Sequence, residues 1–457
     1  MLNETKIPEL AGLASYAEAA RIGYSVDESV RRLLRYHWTG RRLMSALLAH
    51  LPSEPVWEVK CAMALHQWQL AGLTDAIRTR IGEMRHPVPP LDRAPDADLD
   101  RFLDEVLRST DTVELIGGTY DVALRGLALA CRSHLAASNP LVDHPTRRVL
   151  RTALIELDEA LAWGDSALIA LTEFDAGAAD RAAEWKDHLE AYLRAAGDIA
   201  GPSPDPAPPL PSARARKSFQ PDLRPRRDER FSGLDQFDFP PHVLYNDPRV
   251  PADERNIALL AKRTLEMDVP EMMASIMVER TDQPWEFHLD FSRQLWDEAR
   301  HAMMGTVAFE AREVDWTRIP LNIGFSLRLN LHATALERQI LLYAIEQSLM
   351  PADTGKRLEY ETALAAGDAL SAHFHDYDWA DEVLHAQIGR RWLRHEGISQ
   401  EEAQDRAAPI HERTWAALQA YRAGVEREWW SDFVQSVLGR PSALRPNERS
   451  DLRIIAE

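Results

Sequence analysis

DEARH at residues 297–301 and DEVLH at residues 381–385 decide how this chain is read. Each pentapeptide lies inside a long helical pattern and sets a Glu and a His three residues apart, Glu298 with His301 and Glu382 with His385. On a helix that spacing puts both side chains on one face. A single Glu-x-x-His is common on solvated helical surfaces. Two of them, each led by an Asp and each preceded by a helix with a Leu-Glu step, Leu265-Glu266 and Leu336-Glu337, point to a metal centre.

Working outward, apolar residues recurring at three and four predict helices over residues 252–278, 284–311, 324–349 and 361–394, with a fifth over 400–438 and a tail after 440. The first four run to about 25–35 residues, or roughly 40–50 Å at 1.5 Å per residue, which suits a long bundle. Glu266 precedes Glu298 by 32 residues and Glu337 precedes Glu382 by 45, the extra length fitting a longer connection near residues 351–357.

A helical bundle that holds two metals takes one Glu from each of two helices and a Glu-x-x-His from each of the other two. The expected set is therefore Glu266 and Glu337 as ligands from the first and third helices. Glu298 and Glu382 bridge the metals and carry the catalytic weight, and His301 and His385 cap one metal each. Four carboxylates buried together would raise one another's pKa and destabilise the fold, a problem that two dications remove. Mixed oxygen and imidazole donors suit iron or manganese. A ligating imidazole normally donates its other N–H to a carboxylate, and Asp297 and Asp381 are placed to accept it, each from the histidine of the opposite motif. Pro270, one turn after Glu266, should kink or end that helix, which makes Glu271 the substitute ligand.

Glu266, DEARH, Glu337 and DEVLH, with HAQIGRRW after Leu384 and GDAL from Gly367, resemble the ferritin-like di-metal carboxylate superfamily, near its tRNA-modifying di-iron hydroxylase. The resemblance covers residues 256–394, about a third of the chain. It implies an all-α protein with a C-terminal ferritin-like four-helix bundle and two iron ions, or one iron and one manganese. The implied activity is O2-dependent oxidation of a small organic molecule, with electrons from a separate donor. Iron or peroxide handling without an organic substrate is the rival that the same resemblance allows.

Residues 201–230, dense in proline and arginine, read as an extended linker. Residues 1–200 read as a degenerate bundle. There Leu70 and Leu73 fall where Glu298 and His301 stand, Asp158 and Glu159 fall where Asp381 and Glu382 stand, and Ala162 replaces the second histidine. Glu114 precedes Glu159 by 45 residues, as Glu337 precedes Glu382. Two carboxylates without imidazoles make a weak site, so this half is expected to be metal-free and to serve as a pocket cover, a carrier-recruiting surface or a homodimer interface.

The composition, 45% hydrophobic and 27% charged with a formal charge of −19, is that of a globular protein whose surface repels nucleic acid and anionic membrane. Only Cys61 and Cys131 occur, and no signal peptide or long apolar run is visible, so a soluble protein in a reducing cytoplasm is expected.

Overall fold

In a computed structural model the chain is helical, with no strand among the described residues, which are 7–173, 175–201, 208–231, 244–320, 323–351, 354–419 and 429–443. The expected tail beyond 443 and the middle of the fifth predicted helix lie outside them. Two compact units are present, Met1–Leu47 with His66–Gln220, and Leu48–Leu65 with Pro221–Glu457.

In the first unit, leaving aside single turns near the N-terminus, the helices are α1 (Val26–His50), α2 (Trp57–Met84), α3 (Ala97–Val106), α4 (Thr112–Ile116), α5 (Arg125–Ala137), α6 (His144–Thr172) and α7 (Ala176–Ala195). The chain segment Leu48–Leu65, which includes the end of α1 and the start of α2, belongs to the second unit. A π-helical segment, Gly117–Leu124, joins α4 to α5. It carries Tyr120, which lies so close to Gly164 of α6 that a Cβ there would come within 2.8 Å of the Tyr120 Cβ and 3.0 Å of its ring. His66 is fixed by the Tyr120 hydroxyl at 2.8 Å and by the rings of Tyr120 and Trp163. The carboxylates compared with the pentapeptides stand in unlike surroundings. Glu114 is buried and receives the Arg214 guanidinium at 2.6 Å, whereas Asp158 and Glu159 are exposed.

The described part of the proline-rich stretch is not a free linker. Arg214 holds Glu114 in the first unit, and Arg227 is buried against Glu271 in the second. These two arginines find buried carboxylates, and burying an unpaired carboxylate would cost several kcal/mol, on the order of 3–5.

The second unit contains α8 (Ala252–Leu265), α9 (Asp268–Glu279), α10 (Trp285–Glu310), α11 (Gly324–His332), α12 (Ala335–Ser348), α13 (Lys356–Ala365), α14 (Ala369–His395), α15 (Gln400–Gln419) and α16 (Trp430–Leu438). Three of the predicted helices are broken, each for a local reason. The first stops at Leu265 and resumes at Asp268, so Pro270 falls in the first turn of α9, where its missing N–H is tolerated. The third is interrupted by the Thr334 cap. In the fourth, Gly367 adopts a left-handed φ of 71° and Asp368 caps α14 through the Ser371 N–H at 3.0 Å.

Helices α10 and α14, which carry the pentapeptides, pack on each other. Helices α8 and α9 line α10, while α12 and α13 line α14. Along α10, Phe287, Phe291, Leu295, Ala299, Ala302 and Phe309 are buried at helical spacing, and Asp297, Glu298 and His301 lie in the same interior. Each large apolar side chain so buried contributes about 1.5–3 kcal/mol, which offsets the cost of the enclosed charges.

Candidate metal centre

Both pentapeptide histidines aim Nδ1 into a nest of carboxylates. His301 Nδ1 lies 3.2 Å from Asp378, 3.6 Å from Glu298, 3.9 Å from Glu266 and 4.0 Å from Glu382. That nitrogen is buried and has no hydrogen-bond partner. His385 Nδ1 lies 3.1 Å from Glu298, 3.2 Å from Glu382 and 4.0 Å from Glu346. The two rings are 5.8 Å apart.

Behind the rings the aspartates are crossed. His301 Nε2 is 3.3 Å from Asp381, and His385 Nε2 is 3.5 Å from Asp297. Arg300 joins the two aspartates, contacting Asp297 and reaching Asp381 at 2.7 Å, and Arg293 donates to Asp297 at 2.7 Å.

The third helix supplies a different residue from the one expected. Glu337 is the N3 residue of a capping box at the start of α12, where its carboxylate accepts the Thr334 N–H at 2.8 Å and pairs with Arg413 at 2.6 Å. Two and a half turns further on, Glu346 is 2% exposed and joins Glu298, Glu382 and His385, with one donor atom of each lying within 4.8 Å of the others. The sequence held the signal. Thr-x-x-Glu ahead of an apolar run is a cap signature, and Glu346 precedes Glu382 by 36 residues, nearer to the 32 between Glu266 and Glu298.

Glu266, at the C-cap of α8, groups with Glu298 and His301 and is the least enclosed of the set. Glu271 is turned away. Lys60, Arg227 and the Ser326 hydroxyl, the last at 3.0 Å, hold its carboxylate elsewhere.

Cations that no spacing argument could place are also present. Lys356 Nζ, at the start of α13, lies 2.7 Å from Glu382 and 2.9 Å from Asp378. Arg263 contacts Asp378, approaches Glu266 at 2.9 Å and Glu359 at 2.5 Å, and donates to His375 Nδ1 at 3.1 Å. The group formed by Glu359, His375 and Asp378 is therefore already filled by a guanidinium. Burial alone would lower the His301 pKa, but Asp378, Asp381 and Glu298 hold it up at about 10. Burial would raise Glu382, yet Lys356 and His385 drive it well below the usual carboxylate range. Glu346 goes the other way, pushed up by burial and by Glu382 and Glu298.

Beside the carboxylates lies a cavity of about 410 Å³. Glu266, Glu298, Glu346 and Glu382 form one part of its wall. Leu265, Val269, Phe325, Leu341, Leu342 and Ile345 make much of the rest. Comparison with protein-family models, curated proteins and solved structures returns no match in any of the three.

Proposed function

We propose that the second unit holds a two-metal carboxylate centre of the ferritin-like type and oxidises a small organic substrate with O2, using an external electron donor. The observation that supports this best is the unpartnered, buried Nδ1 of His301 facing four carboxylates while Nε2 is held by Asp381. An imidazole anchored at one nitrogen and directed at oxygen donors with the other is arranged as a metal ligand. The donors fit two positions that share Glu298: Glu266, Glu298 and His301 at one, and Glu298, Glu346, Glu382 and His385 at the other. Iron is the proposed metal, with manganese as the alternative in one position. When bound, such a pair supplies the redox chemistry that reduces O2.

The protein's own part is binding and positioning. Asp297 and Asp381 orient the imidazoles, Arg293 and Arg300 hold those aspartates, and the apolar cavity walls keep a substrate beside Glu298 and Glu382 in the absence of bulk water. A cavity of this size, mostly apolar with a few convergent polar groups, is the usual form of a small-molecule site.

Anaerobic loading with Fe(II), metal analysis and O2 electrode measurements test the proposal. Glu346→Gln should lower iron content and O2 consumption at least tenfold, whereas Glu337→Gln should leave both near wild type. Fe(II) oxidation that ignores every organic additive, or equal iron content in the two variants, would sink it.

A further inference from the structure

Among the described residues five arginines are buried, namely Arg35, Arg227, Arg263, Arg328 and Arg338. Four hold a carboxylate: Arg35 has Asp96 at 3.0 Å, Arg227 has Glu271, Arg263 has Asp378 and Glu359, and Arg338 has Glu279 at 3.0 Å. Arg328 on α11 holds none at ion-pair distance, although it is only 4% exposed and lines the 410 Å³ cavity. Its partners are neutral. The Thr414 hydroxyl accepts from Nη1 at 2.6 Å, and His411 Nδ1 lies 3.4 Å from Nη2. The guanidinium also sits over the rings of Phe325 and Trp415, at 5.5 and 5.7 Å.

A guanidinium left without a counter-charge in an apolar wall is costly unless something pairs with it. The nearby acid, Asp268, attracts Arg328 without reaching ion-pair distance and is shared with Arg227 at 3.6 Å, while it accepts from the Ser326 hydroxyl at 2.7 Å and the Phe325 N–H at 3.3 Å. The other cation of the cavity wall, Lys262, is taken by Glu359 at 2.8 Å. Arg328 is thus a charge held ready, with its plane fixed by two rings and one hydroxyl. The way in is at its end of the cavity, because His411 and Trp415 are the solvent-exposed members of the wall.

We propose that the cavity binds an amphipathic monocarboxylate, with its carboxylate on Arg328 and its apolar body running past Phe325, Leu341 and Leu342 toward Glu298 and Glu382. A guanidinium pairs with a carboxylate through two parallel hydrogen bonds. One uncompensated cation calls for one negative charge, and the acidic cluster across the cavity disfavours a second, which argues against a phosphate dianion. This assignment rests on the proposed oxidative role for its meaning, but its chemistry is independent of the metal.

The test is titration of the full-length protein, metal-free and iron-loaded, with dodecanoate, dodecanol and dodecyl phosphate below their micellar concentrations. A charge-assisted pair predicts dodecanoate binding about tenfold to a hundredfold more tightly than dodecanol. Arg328→Gln should bring dodecanoate to the level of dodecanol without changing iron content. Should that variant fail to fold, Arg328→Lys keeps the charge and loses the fork, so the preference should shrink while dodecanol binding holds. Leu342→Trp, which fills the cavity, should remove binding of both. Equal affinity for dodecanoate and dodecanol in the unaltered protein, a stronger preference for dodecyl phosphate, or a preference that survives Arg328→Gln overturns the assignment. If dodecanoate selectivity persists in a protein that never takes up iron, the oxidative reading fails and this one stands.

Discussion

At the scale of single residues, Lys356 is the group that the pentapeptides give no hint of. Its ammonium lies between Asp378 and Glu382 and is about 1% exposed. Removing one partner from a buried charged group leaves the other uncompensated and costs roughly 3–5 kcal/mol. Lys356→Met should therefore lower the melting temperature of the metal-free protein markedly and narrow the gap once iron is bound, as calorimetry of both forms would show; an unchanged metal-free melting temperature would contradict this placement. Glu337 and Glu346 teach a different lesson. Both are glutamates on α12, and only one is inward, because Thr334 recruits the other as a cap. The pentapeptide residues were legible because a three-residue spacing on a helix is a local property. Glu346 could have been found from the cap signature, whereas Arg328 and Lys356 depend on which helix lies opposite.

Among elements, the approach of α8 to α10 sets where Glu266 can reach. Gly305 of α10 is so close to α8 that a Cβ would lie 2.8 Å from Arg263 Cβ and 2.9 Å from the Leu260 carbonyl oxygen. Gly305→Ala must push these backbones apart. It should cost about 1–3 kcal/mol by overpacking and also reduce iron content, since Arg263 and Glu266 move with α8. Thr334→Ala offers a contrast at the head of α12. Loss of the cap should cost about 1 kcal/mol and leave iron content unchanged, as thermal melts beside metal analysis would reveal. The broken helices fit this view. Pro270, Thr334 and the Gly367-Asp368 step are all local stop or start signals, and the long predicted helices overran them because apolar periodicity continues across each break.

For the whole molecule, the two units differ in what they bury. The first keeps neutral imidazoles in its interior, where burial lowers both His37 and His66 to about 4. In the unfolded chain these rings take up protons near pH 6.5, well before the folded form does, so stability is full above that value and falls as pH drops toward 4. The loss approaches about 3 kcal/mol per ring. Hydrogen exchange along α5 and α6 between pH 7 and 4.5 should accelerate accordingly, and His66→Gln should flatten the trend; exchange indifferent to pH beyond its intrinsic chemistry would refute it. In the second unit the interior gathers the charges around Glu298 and Glu382, and no helix among the described residues is long and apolar enough to cross a membrane. Sequence alone determined the helical class and the two inward pentapeptides, because these follow from composition and from spacing within one helix. The tertiary structure decided that Glu346 rather than Glu337 joins the buried carboxylates and imidazoles, that Arg263 and Lys356 lie among them, and that Arg328 has no carboxylate at ion-pair distance in the cavity wall. Each of those depends on the partner a side chain meets across a helix interface, a distance that the order of residues along one helix does not encode.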